Sequence, residues 1–182
     1  GAQAISECYD SPNNHMTVIV VSASPGTGRP PGFEKHSDEE MINIRRKEQI
    51  KAANVGKYAG VAQLGFLSNE IKGMENGNPQ AAGRVREAIK NIIDHTPNLK
   101  KLYLHSVFDK HATHKALTML SLQATRMLDI KKHPKECYGV EASSGISWAL
   151  AEDRIALPVT KMDLAEKVIR NYKTELAKRR YD

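Results

Sequence analysis

Long apolar runs are missing from the sequence. Stretches such as Val18–Val21 fall far short of the roughly 20 residues that a helical membrane span requires. Cysteine is scarce too: Cys8 and Cys137 have neither metal-ligand spacing nor the density of a disulfide scaffold, so two incidental thiols in a reducing, cytoplasmic setting are expected. At residues 1–5 no basic leader precedes an apolar stretch, and no secretory signal is expected there. Aromatic residues make up only 5% of the chain, and none interleaves the basic clusters Lys100-Lys101, Lys131-Lys132-His133-Pro134-Lys135 and Lys178-Arg179-Arg180. The excess of 27 basic over 21 acidic residues, a net +6, is therefore read as solvated charge at helix ends and loops, and no nucleic-acid partner is expected.

What is there is an ordinary globular composition, 40% hydrophobic and 26% charged, on a chain long enough to bury one core. A single domain over residues 1–182 is expected. Residues 1–10 can form an amphipathic helix ended by the turn cluster Ser11-Pro12-Asn13-Asn14. Met16–Val21 is β-branched and continuously apolar, as in a strand covered on both faces. Asp38-Glu39-Glu40 places acids in the first turn of a long helix running to about Tyr58. There follow a strand over Val61–Phe66, a helix over Gln80–Asp94 with Val85, Ala88, Ile89 and Ile92 on one face, and a strand over Leu102–Leu104. A helix over His111–Leu128, strands over Cys137–Glu141 and Arg154–Val159, and a last helix over Leu164–Lys178 complete the pattern. Such alternation predicts an α/β fold with a mostly parallel sheet and helices on both faces.

The loop from Ser24 to Gly32 is too rich in proline and glycine for regular structure. It follows a strand's C-terminal end, where ligands bind in open α/β sheets. It contains neither G-x-x-x-x-G-K-[ST] nor G-x-G-x-x-G, so no nucleotide loop is expected. More chemistry is concentrated in Leu104-His105-Ser106-Val107-Phe108-Asp109-Lys110-His111-Ala112-Thr113-His114, just after a strand. On a starting helix, residues three apart share a face, so His111 and His114 can converge on one small volume. That suits a metal ligand beside an acid–base or oxyanion-stabilising imidazole. Exposed histidines at a helix N-terminus would have the same spacing, and spacing does not separate the two. His36-Ser37-Asp38-Glu39-Glu40 is explained by helix-start chemistry without a metal. Arg45, Arg46 and Glu48 read either as surface ion pairs between neighbouring turns or, for an arginine, as a substrate clamp.

In their order and separation these segments resemble the LmbE-like family of de-N-acetylases, over nearly the whole chain. Thr17–Val21 ending in Ser22-Ala23-Ser24 is similar to the family's second strand, and Ile44–Ala53 to its R-x-x-E helix. Val61–Phe66 is similar to the next strand with its Leu-Gly-Phe ending, and Asp109–His114 falls where the family carries H-P-D-H. Tyr138-Gly139-Val140-Glu141, Trp148 and Glu152-Asp153-Arg154 look like the distal part of bacterial members. The resemblance implies a Rossmann-like fold and a hydrolase, dependent on zinc or another divalent metal, that removes the N-acetyl group from an N-acetylglucosaminyl amino sugar. It implies a zinc-activated water attacking the acetyl carbonyl, an aspartate taking its proton, and a histidine stabilising the oxyanion. Carried over by position, His114 is the metal ligand, His111 the oxyanion or acid partner and Asp109 a catalytic carboxylate, while Arg45 and Glu141 shape the sugar pocket.

The departures are specific. The family's A-H-P-D-D-E motif is absent, Gly1 corresponds to the region just after it, and a domain trimmed at both ends is expected. Thr113 stands where H-P-D-H has its aspartate, and Ser68-Asn69 replaces Pro-Asp after Leu-Gly-Phe. A zinc hydrolase takes about three protein ligands, and this reading supplies one, so weak zinc binding is expected. The alternative is an inactive paralogue or fragment serving as a carbohydrate-binding or regulatory module. The implied partner is a small amino-sugar substrate, with homo-oligomerisation left open.

Overall fold

The computed structural model describes residues 2–9, 11–23, 25, 28–140 and 159–178. The chain divides into two compact units, residues 1–65 with 155–182, and residues 66–154. Both mix helix with strand. In order the elements are α1 (Ala2–Cys8), β1 (Thr17–Ser22), α2 (Asp38–Val55), β2 (Gly60–Phe66), α3 (Ser68–Ile71), α4 (Pro79–Asp94), β3 (Lys101–His105), α5 (Ala112–Arg126), a 3-10 turn (Ile130–Lys132), β4 (Glu136–Val140), α6 (Val159–Ile169) and α7 (Lys173–Lys178). Among the described residues the strands form two pairs, β1 with β2 and β3 with β4.

In the first unit, α2 starts where the sequence supplies a reciprocal cap. The Ser37 hydroxyl accepts the Glu40 amide at 3.2 Å, and the Glu40 carboxylate accepts the Ser37 amide at 2.7 Å. The helix stops at Val55, earlier than the sequence pattern implies, because Lys57 takes a left-handed backbone with φ 51° and the Tyr58 amide closes back onto the Ala53 carbonyl at 2.9 Å. Strands β1 and β2 enter their sheet together: the Ala59 amide donates to the Met16 carbonyl at 2.8 Å and Gly60 lies beside Thr17, so the two run parallel. Ile5, Ala52, Leu164 and Val168 form a buried cluster, with Tyr9, Met16, Val55, Tyr58 and Tyr172 packed around it.

Two expectations fail in this unit. Glu48 is not a surface ion-pairing residue; it is buried, and its carboxylate accepts the Thr174 amide at 3.0 Å and the Thr174 hydroxyl at 2.7 Å. The last helix is not continuous from Leu164 to Lys178 but breaks between α6 and α7. At the break the Asn171 amide group donates to the Lys167 carbonyl at 2.8 Å, and the Tyr172 hydroxyl donates to Gln49 at 2.9 Å. Of the strand expected over Arg154–Val159, Val159 opens α6 instead, and residues 154–158 lie outside the described residues.

In the second unit, Asn78 caps α4 by accepting the Ala81 amide at 3.1 Å, with Pro79 at the first helical position. The helix buries Ala81, Ala82, Val85, Ile89 and Ile93 and packs against α5, which buries Leu120 and Ala124. Strands β3 and β4 are parallel, with Lys101 opposite Glu136 and His105 opposite Val140. The Tyr103 and Tyr138 rings stack across this pair at 5.4 Å. The segment β3–α5–β4 is thus a strand–helix–strand crossover, as the sequence alternation implies.

Candidate metal centre

The end of β3 is fixed from two sides. The Ser106 amide donates to the Val140 carbonyl at 2.9 Å, one step beyond the strand pairing, and the Thr118 hydroxyl on α5 donates to the His105 carbonyl at 2.9 Å. The chain then turns sharply: the Asp109 amide returns to the Ser106 carbonyl at 3.1 Å, while the Ser106 hydroxyl accepts the Phe108 amide at 3.1 Å. Ser106 and Asp109 are buried, so the two residues between them, Val107 and Phe108, are held outward, 47% and 65% exposed.

Asp109 organises the start of α5. One carboxylate oxygen accepts the His111 amide at 2.8 Å, and the other lies 3.0 Å from His114 Nδ1. Its side chain is 1% exposed against 29% for His114. The carboxylate therefore closes a turn onto the amide of His111 just ahead of the helix, where the dipole favours negative charge, and also orients a side chain one turn in. An ionised carboxylate only accepts, so the proton of this contact sits on His114 Nδ1, and in the neutral ring Nε2 then carries the lone pair.

Three imidazoles stack here, with His114 in the middle. The His105 and His114 rings lie 4.0 Å apart and within 5° of parallel, and the His111 and His114 rings 4.6 Å apart at 29°. Burial pushes the His105 pKa down, aided by His114 and His111 and opposed by the Asp109 carboxylate. A neutral His105 offers a lone pair. Its Nδ1 is buried and has no hydrogen-bond partner.

His105, Asp109 and His114 each offer one ligand atom, and these atoms lie within 4.8 Å of one another. Ligands around one zinc at about 2.0–2.1 Å sit roughly 3.3–3.5 Å apart in a tetrahedron, so the donors need to close by up to about 1.5 Å, within reach of side-chain rotation. Two imidazoles and a carboxylate are a zinc donor set, and the orphaned buried nitrogen of His105 is the kind of group a metal satisfies. On both counts the residues present fit a divalent metal.

Of the residues singled out in the sequence, Asp109, His111 and His114 are brought together. Arg45 is half-buried on α2 of the first unit, and Glu141 lies outside the described residues, as do Trp148 and 152–154. Thr113 is buried on α5. His105 is the residue that sequence reasoning passed over; its signal was its place as the last residue of β3, which the strand pattern ends at Leu104. At the other histidine–acid segment, Asp38 pairs with Arg29 and Glu40 is committed to the α2 cap, while the His36 ring packs against Phe33 at 5.6 Å.

Fold and cluster together define a mixed α/β protein with a candidate divalent-metal centre at the C-terminal end of a parallel strand. No family model matches the chain, and no curated protein matches it. No helix among the described residues is long and apolar enough to cross a membrane.

Proposed function

We propose that the chain is a Rossmann-like, divalent-metal-dependent amide hydrolase of the LmbE-like kind, which removes the N-acetyl group from an N-acetylglucosaminyl amino sugar. The observation that carries this reading is the Asp109–His114 pair with His111 stacked beside it, at the strand end where the family resemblance puts its metal-binding histidine. When bound, zinc supplies polarisation of the acetyl carbonyl and acidification of water. Before the metal binds, Asp109 holds His114 in the tautomer that leaves Nε2 as its donor atom. His111, exposed and without a side-chain cap bond, hydrogen-bonds the carbonyl oxygen as negative charge develops there, and the proton that the attacking water gives up passes through it to the departing amine. Arg45 and Glu141 are assigned to the sugar by their places in the sequence. Two cysteines outside any disulfide support a cytoplasmic setting.

One observation favours a second reading, a carbohydrate-binding or regulatory module: Thr113 is buried and brings no carboxylate beside His114. Acetate release from an N-acetylglucosaminide, assayed with zinc and after chelation, separates the two. The hydrolase reading predicts zinc-dependent release that falls about 10²–10⁴-fold in His111→Ala with zinc content unchanged. Sugar binding without acetate release supports the module, and neither binding nor release contradicts both.

A further inference from the structure

We infer that the chain carries a metal site of its own within residues 105–114, formed by His105, Asp109 and His114, in which His105 is a direct ligand. The inference deepens the hydrolase reading and rests on its cluster, but it does not depend on which substrate is hydrolysed. The family resemblance supplies only His114 from this stretch and leaves the other ligands to a motif this sequence does not contain. The structure instead gathers three donors around the end of one strand.

Four observations converge on His105. Its Nδ1 is buried and unpartnered, a destabilising condition that a bound ion would relieve. Its carbonyl is tied to α5 by Thr118, and the next amide to β4 by the Val140 carbonyl, so its backbone cannot drift from the site. Its ring lies 4.0 Å from that of His114, itself held by the buried Asp109 carboxylate. The donors then make two nitrogens and one oxygen, the set of a zinc centre that keeps a fourth position open. Two rearrangements are required: the Asp109–His114 hydrogen bond gives way, so that the carboxylate turns from holding Nδ1 to meeting the ion, and the ring stack opens. Rings within 5° of parallel aim their lone pairs side by side, so one imidazole must turn about its Cβ–Cγ bond for both to meet a single ion, and the His105–His114 stack opens on binding.

Cobalt(II), which replaces zinc and is visible, tests the assignment on the 182-residue chain. The wild-type chain is expected to bind one cobalt with a visible d–d band, displaced by zinc. His105→Ala is expected to weaken binding by more than about 100-fold, beyond the 10–100-fold that loss of a merely supporting residue costs. His105→Cys is expected to keep cobalt and gain a thiolate-to-cobalt charge-transfer band in the near ultraviolet, which wild type, with Cys8 and Cys137 present, lacks. Thermal unfolding of each variant shows whether it is folded, and the new band reads coordination directly even where affinity changes. Absence of cobalt binding by the wild-type chain overturns the inference. Binding that needs His114 but shows no new band in folded His105→Cys also overturns it, while leaving the hydrolase reading standing. Tight binding with the band but without deacetylation leaves the site and removes the hydrolase reading.

Discussion

Two helices in this chain begin with a histidine and acids close together, and only one of those starts gathers donors that could hold a metal. At α2, Asp38 is exposed, 61% by side chain, and pairs with Arg29, while Glu40 folds back on the Ser37 amide. Of these two acids, one is spent on the helix start and the other on Arg29. At α5 the single acid, Asp109, is buried; one oxygen serves the helix start and the other holds His114. The turn from Ser106 to Asp109 makes the difference, because it follows directly from a strand and carries the carboxylate inward, whereas the residues before α2 are a loop. Composition does not distinguish a helix cap from a metal site. Burial of the carboxylate and its second acceptor role are what set the α5 start apart from the α2 start.

The comparison can be broken hardest at Asp109. Asp109→Ala leaves the His111 amide and His114 Nδ1 without their acceptor, and a loss of about 2–3 kcal/mol in urea unfolding is expected. Asp38→Ala is expected to stay within about 0.5 kcal/mol of wild type; equal losses for the two would mean the starts are equivalent. Next in size, Ser37→Ala removes the side-chain half of the α2 cap and should cost about 1 kcal/mol with cobalt binding unchanged. A smaller effect lies in acid. The Ser37 amide and hydroxyl hold the Glu40 carboxyl below its ordinary value of 4.5, so its contribution is present above that pH and is lost as pH falls through the lowered folded value. Glu40→Gln should therefore show a shallower loss of helix signal below pH 4.5 than wild type. Last, His36→Ala should leave metal uptake unaltered, and a drop there would return the first helix start to consideration as a ligand site.

Much of the architecture was legible because it rests on local pattern. The β-branched run of β1, the acids and Ser37 at the start of α2, and the apolar face of α4 each declare themselves within a few residues. What escaped depends on partners far along the chain. At the break between α6 and α7 the local bond from Asn171 to Lys167 is joined by bonds that run to Gln49 and Glu48, more than a hundred residues earlier. The same holds at the centre. Convergence of His111 and His114 follows from helical spacing, whereas His105 joins them only through a strand-end turn whose geometry depends on Ser106 pairing with Val140. The side-chain hydrogen bond that makes Asp109 a shared acceptor likewise needs the turn and the helix both in place.

X-ray absorption at the zinc edge of the chain loaded with one equivalent of zinc reads the ligands of the site. A first shell of nitrogen and oxygen at about 2.0–2.1 Å is expected, with outer-shell scattering from two imidazoles. A shell containing sulfur, or scattering from one imidazole or none, would contradict a site formed by His105, Asp109 and His114.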